Sequence, residues 1–148
     1  IVRPFNNYGP RQNYCGKLAG VIPITAMKIL SGKKPEIHGS GEQSRDFIYV
    51  KDTVEAVIKL YSCCTAGDTV NISTDSQLSI NYVISRVCEK LGYTNEILKK
   101  SRRTADVECH IASNDRVKQL IEYPLTPFED GLNQTIEYYK SVFKKGQF

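Results

Sequence analysis

Along this chain of 148 residues the apolar positions switch between alternation and a three-and-four spacing, so strand and helix signals succeed one another. Ile1 to Phe5 reads as the end of a strand, and 6–20 as a long loop rich in Asn, Gly, Tyr and Arg. Pro23 suits the first turn of a helix that runs to about Leu30 and closes at Ser31-Gly32-Lys33-Lys34-Pro35. Pro35 to His38 is a short strand, Gly39 to Ser44 a turn, and the alternating stretch Asp46 to Val50 a strand. Asp52 then serves as N-cap of a helix whose apolar stripe is Val54, Val57, Ile58 and Tyr61. A strand covers 69–73. Ser79 caps a helix with Ile80, Val83, Ile84, Val87 and Leu91 on one face, ended by Gly92. One short extended piece precedes Thr104, another lies within 104–112, and a short helix runs from about Asp115 to Ile121. The last helix has a capping box, with Thr126 as N-cap, Pro127 at N1 and Glu129 at N3, and a stripe of Leu132, Ile136, Tyr139 and Phe143. The pattern predicts an α/β protein of one-domain size with short strands and about five helices.

Charge and cysteine usage narrow the function classes. The net charge of +4 is modest, and its basic pairs read as solvated helix ends or loops. No basic stripe with interleaved aromatics and no nucleic-acid motif is present, so no nucleic-acid partner is expected. No apolar run is long enough to span a bilayer. The five cysteines form no C-x-x-C pair, and His38 and His110 have no partners at ligand spacing. Reduced thiols, a cytoplasmic location and no metal site are the expectation.

Three polar loops are candidates for chemistry. Phe5 to Arg11 follows a strand end, the place where α/β sheets open their ligand crevice, although Asn in plain turn positions explains it as well. Gly39 to Asp52 offers two glycines for close backbone approach and an arginine, Arg45, able to fork onto a phosphate or to pair with Asp46. Lys99 to Glu108 brings Arg102 and Arg103, which suit an anion or a solvated loop. Together they suit a diphosphate with a polar, sugar-like neighbour. There is no Ser/His/Asp set, no pair of carboxylates, no P-loop and no Tyr-x-x-x-Lys, so no catalytic residue is assigned.

The stretch RPFNNYGPRQ, with GSGEQSRDFIYVKDTVEA about thirty residues later, resembles the C-terminal half of the extended short-chain dehydrogenase/reductases, the NAD-dependent nucleotide-sugar epimerases, dehydratases and decarboxylases. Val70 to Ser73 and the run from Pro124 to Leu132 are similar to the family as well, so the resemblance spans nearly the whole chain. It implies a Rossmann-type α/β fold of which 1–148 is the substrate-binding portion. Residues 1–5 and part of 69–73 would then belong to the Rossmann sheet of an intact parent whose NAD-binding domain and catalytic Tyr-x-x-x-Lys lie upstream. It further implies that Asn6 contacts the diphosphate or sugar. Gly20 and Val21 would begin the helix over the substrate. Glu36, Ile37 and His38 would lie beside the base, largely through backbone atoms. Arg45 and Arg103 would bind phosphate, and Pro4 and Phe5 would line the nicotinamide end of the cofactor site. Arg103 is followed by Thr104-Ala105 where the family usually has Pro-Gly, and Ser113 stands where it often has Asp. The parent would be a homodimeric, cytoplasmic enzyme of the UDP-glucose 4-epimerase kind, and the isolated chain inert. A 4,6-dehydratase, a decarboxylase, a non-catalytic regulatory descendant and a stand-alone nucleotide-sugar-binding module are the other readings.

Overall fold

A computed structural model describes every residue except Lys17, Arg103, Ala105, Asp106, Gln147 and Phe148. The extended N-terminal run changes partner midway. Its first part, β1 (Val2–Pro4), pairs in parallel with β6 (Val70–Ile72), and its second, β2 (Asn6–Tyr8), pairs in parallel with β5 (Phe47–Tyr49). The switch is made at adjacent residues. Phe5 N–H donates to the Ile72 carbonyl at 3.0 Å, and Asn6 N–H to the Asp46 carbonyl at 3.2 Å. Two further pairings complete the strands. β3 (Glu36–His38) runs parallel to β8 (Leu98–Lys100), and β4 (Ser44–Arg45) lies between antiparallel β7 (Leu78–Ser79) and parallel β9 (Cys109–His110).

Five helices pack on these strands: α1 (Val21–Leu30), α2 (Val50–Cys63), α3 (Ile80–Lys90), α4 (Asp115–Leu120) and α5 (Phe128–Lys144). The two-residue period of β5 divides the core. Tyr49 points into a cluster built with Tyr8, Ile22, Met27, Val87, Leu132 and Ile136, whereas Ile48 points the other way, to Ala56, Leu60, Val70, Ile72 and Val117. A third cluster joins Ile37 to Ile84 and Cys88. The stripes expected on α3 and α5 are the buried ones, with Val83, Ile84 and Val87 on the first and Leu132, Ile136 and Tyr139 on the second. Ser79 caps α3 as expected, its hydroxyl accepting from Tyr82 N–H at 3.1 Å.

Four local expectations are corrected. Residues 6–8 are a strand rather than loop, because β5 supplies the backbone partners that a sequence of Asn-Asn-Tyr does not announce. Asp52 is not an N-cap. Helix α2 starts at Val50 directly from β5, and the Asp52 carboxylate instead takes the Thr126 N–H at 2.8 Å and hydroxyl at 2.6 Å. That bond also removes Thr126 from the capping box. α5 begins at Phe128 after Pro127, and Glu129 pairs with Arg86 and Lys90 of α3. Finally, the apolar stripe of α2 faces outward. Val54, Ile58 and Tyr61 are 53%, 65% and 91% exposed, while Thr53, Ala56 and Leu60 are buried.

Candidate functional site

The floor of the site follows from the partner switch at Phe5–Asn6. Where one strand leaves β6 for β5, the two pairings diverge and the end of β2 is left open. Over it lies the first half of α1. Its entry is set by Gly20, whose N–H donates to the Asn13 carbonyl at 3.2 Å. A Cβ at Gly20 would meet the Gln12 amide, so a side chain here would push Gln12 out of the place it holds in this structure. Down α1, Val21, Ile24, Thr25 and Lys28 share one face by the helical period, and that face roofs the site.

The result is a cavity of about 630 Å³ between β2, α1, β3 and β4. It suits a ligand larger than a monosaccharide. Asn6 and Arg45 stand on one side, Gly20 and Val21 above, and Glu36 and His38 at the far end. Six residues expected at the site are therefore brought together. Ile37 is not among the lining residues. Its side chain alternates away from those of its two neighbours on β3 and packs against Ile84 and Cys88. Pro4 and Phe5 do not line it either, and Arg103 lies outside the described residues.

The polar groups are held from behind. Arg45 donates through Nη1 to the carbonyls of Ser44 at 2.7 Å and Val107 at 2.6 Å, which anchors the guanidinium at the rim. The carboxylate of Asp46 is turned away from the site, accepting from Thr74 and Asp75. At the far end Lys28 Nζ lies 2.7 Å from Glu36 Oε2 and holds that carboxyl below its ordinary range. His38 donates through Nδ1–H to the Ser101 carbonyl at 3.3 Å, and Gln43 donates to the His38 carbonyl at 2.8 Å. The first-turn N–H groups of Val21 and Ile22 lack intrahelical acceptors, as in any helix, and carry the positive end of the helix dipole into the cavity. Arg45 and this helix end give the site a preference for anionic groups.

Gln12, Lys28 and Gln43 were not among the expected site residues. Lys28 carried a signal, since it lies seven residues after Val21 on the same helix face. Gln12 carried none. Its Nε2 donates to the Asn7 carbonyl at 2.8 Å, while its Oε1 is buried with no partner in the protein. A buried amide oxygen without a donor is costly, and a donor on a ligand or an ordered water relieves it. The glycines of Gly39–Gly41 serve the protein itself. A Cβ at Gly41 would strike the Asn81 side chain, which donates to the Ser40 carbonyl at 3.0 Å.

Residues 1–73 match the family model described as NAD dependent epimerase/dehydratase family. A solved UDP-glucose 4-epimerase from Thermotoga maritima, with UDP-glucose, superposes with a TM-score of 0.90 at 33% identity, over 95% of this chain and 45% of that one. A dTDP-glucose 4,6-dehydratase from Bacillus anthracis, solved in complex with NAD, gives a TM-score of 0.86 at 25% identity, over 95% of this chain and 44% of that one. The human dTDP-D-glucose 4,6-dehydratase is 30% identical, over 97% of this chain and 42% of its own length. The chain thus spans less than half the length of these relatives.

Proposed function

From the premise that this chain belongs to the NAD dependent epimerase/dehydratase family, we propose that it is the nucleotide-sugar-binding portion of a UDP-glucose 4-epimerase-like enzyme. Its relatives include a UDP-glucose 4-epimerase, a UDP-N-acetyl-alpha-D-glucosaminuronate decarboxylase, a dTDP-4-dehydro-6-deoxy-D-allose reductase and a dTDP-D-glucose 4,6-dehydratase. The observation that carries the reading is the single cavity shared by Asn6, Gly20, Val21, Glu36, His38 and Arg45. In this reading the diphosphate lies between Arg45 and the N-terminal end of α1. The base reaches toward Glu36 and His38, and the sugar lies toward Asn6. Remote binding of this kind orients the sugar for hydride transfer at its ring.

NAD, when bound, supplies the hydride acceptor and donor. The residues here fit the rim of such a cofactor rather than its cradle. Pro4 is exposed at the end of β1, and Phe5 is half-buried with one ring face covered by His110. The two would meet the nicotinamide end. The 148 residues contain no Tyr-x-x-x-Lys, so alone they are expected to bind and not to turn over.

Titration calorimetry of the chain with UDP-glucose, UDP and dTDP-glucose tests the proposal. Binding of UDP-glucose is expected, weakened in Arg45→Ala by about 1.5–3 kcal/mol, the usual worth of a hydrogen bond to a charged group. Unchanged affinity in that variant removes Arg45 from the phosphate site. No binding to the folded chain removes the reading for these residues.

A further inference from the structure

His110 lies on β9, outside the lining of the cavity, yet it is tied to Asn6 through three strands. Asp46 N–H donates to the His110 carbonyl at 2.9 Å, and the Asp46 carbonyl accepts from Asn6 N–H at 3.2 Å. The Asn6 side chain repeats the connection. Its Nδ2 donates to the Asp46 carbonyl at 3.1 Å and lies 3.3 Å from His110 Nδ1. The imidazole is held in plane by Phe5, with ring centroids 4.7 Å apart and planes 23° apart.

The orientation of the Asn6 amide is settled by chemistry. The Asp46 carbonyl can only accept, so the nitrogen of Asn6 must face it. Its second hydrogen then meets His110 Nδ1, which must carry a lone pair, so the ring proton is on Nε2. Both amide hydrogens are spent on the protein. Among the described residues nothing donates to Asn6 Oδ1, and that oxygen is what the side chain has to offer.

We propose that His110 is a positioning residue that locks the Asn6 amide with its oxygen free, making this point of the cavity a hydrogen-bond acceptor that selects a sugar hydroxyl and not a phosphate oxygen. A phosphate oxygen at neutral pH has no hydrogen to give, whereas a hydroxyl donates readily. The inference rests on the nucleotide-sugar reading of the cavity, and it narrows the role of Asn6 from diphosphate or sugar to sugar alone.

Two measurements on the full chain separate the lock from that reading. In a ¹⁵N-labelled sample at pH 8, the two-bond correlation spectrum of the imidazoles is expected to show His110 with its proton on Nε2. His110→Phe keeps the stacking ring but removes the acceptor. It is expected to shift both side-chain amide proton signals of Asn6, with those of Asn133 unmoved. In calorimetry, His110→Phe is expected to weaken UDP-glucose about fivefold to tenfold, as for one neutral hydrogen bond, and to leave UDP unchanged. In an Asn6→Ala background it should do nothing further. A proton on Nδ1, unmoved Asn6 signals, or equal losses for UDP and UDP-glucose overturn the proposal. If the folded wild type binds neither ligand, the nucleotide-sugar reading and the selectivity fall together, while the spectra still decide the lock.

Discussion

Thr74 gives both its backbone N–H and its hydroxyl to one carboxylate oxygen of Asp46, at 2.8 and 2.7 Å, and Asp75 N–H reaches the other oxygen at 3.2 Å. Asp46 is fully buried. Its side chain therefore fixes the turn after β6, while its backbone carbonyl holds Asn6 at the cavity. Asparagine keeps the shape but turns one acceptor into a donor facing donors. Asp46→Asn is expected to lower stability by about 2–4 kcal/mol, read as a lower urea midpoint with an unchanged slope.

Gly131 sits in α5 directly against Tyr8, whose hydroxyl donates to the Phe128 carbonyl at 3.1 Å. Alanine normally strengthens a helix relative to glycine by about 0.5–1 kcal/mol. Here its methyl would strike the Tyr8 hydroxyl and approach Tyr49 Cδ2 to 2.9 Å. Overpacking of a filled core costs about 1–3 kcal/mol, so Gly131→Ala is expected to destabilise on balance. A rise in the urea midpoint would show that Tyr8 moves aside freely.

Much of this architecture was legible in the chain, for physical reasons that differ by element. α3 and α5 were readable because a single buried stripe repeats at the helical period. β5 was readable from its alternation, and the later family match agrees with the paired motifs around Asn6 and Arg45. Where long-range partners decide, local pattern failed. Asn6–Tyr8 became a strand because β5 lies beside it, and Thr126 abandoned its cap because Asp52, 74 residues away in sequence, offered a carboxylate. Gln12, Gln43 and His110 left no periodic trace, since each acts through one side chain placed by a loop or a short strand.

Glu129 joins α5 to α3 and makes their packing sensitive to acid. Arg86 donates to its two oxygens at 2.8 and 2.9 Å, and Lys90 Nζ lies 2.7 Å away. Chiefly through the Arg86 hydrogen bonds, its pKa is pulled from the ordinary 4.5 down to about 2. The folded value is the lower one, so the contribution is fully present above about pH 4.5 and is lost as pH falls toward 2. The carboxylate is partly exposed, and solvent screening leaves a contribution on the order of 1 kcal/mol. Urea unfolding from pH 7 to pH 3 should therefore show Glu129→Gln less stable at neutral pH and closing on the wild type in acid. Parallel curves would mean the clamp contributes nothing to folding.

Helix α2 carries two apolar faces, and the stronger one in sequence is not the one in the core. Val54, Ile58 and Tyr61 outweigh Thr53, Ala56 and Leu60 in bulk, yet the smaller set is the buried one, with Ala56 and Leu60 packed on Ile48, Val70 and Ile72 and the Thr53 hydroxyl donating to Asn7 Oδ1 at 2.5 Å. Ala56 and Thr53 let the helix axis lie close to β2 and β5, where a row of larger side chains would hold it off. Of the outer set, Val54 and Ile58 border a shallow apolar hollow of about 380 Å³ with Val50, flanked by Lys51, Glu55 and Lys59. A pair of substitutions distinguishes the faces. Leu60→Ala should cost about 2–5 kcal/mol by opening a cavity, whereas Ile58→Lys, at a site 65% exposed, should change stability by no more than about 0.5 kcal/mol. The reverse ranking in urea unfolding would mean that α2 is rotated about its axis in solution, with the Val54–Ile58 face turned onto β5 and β6.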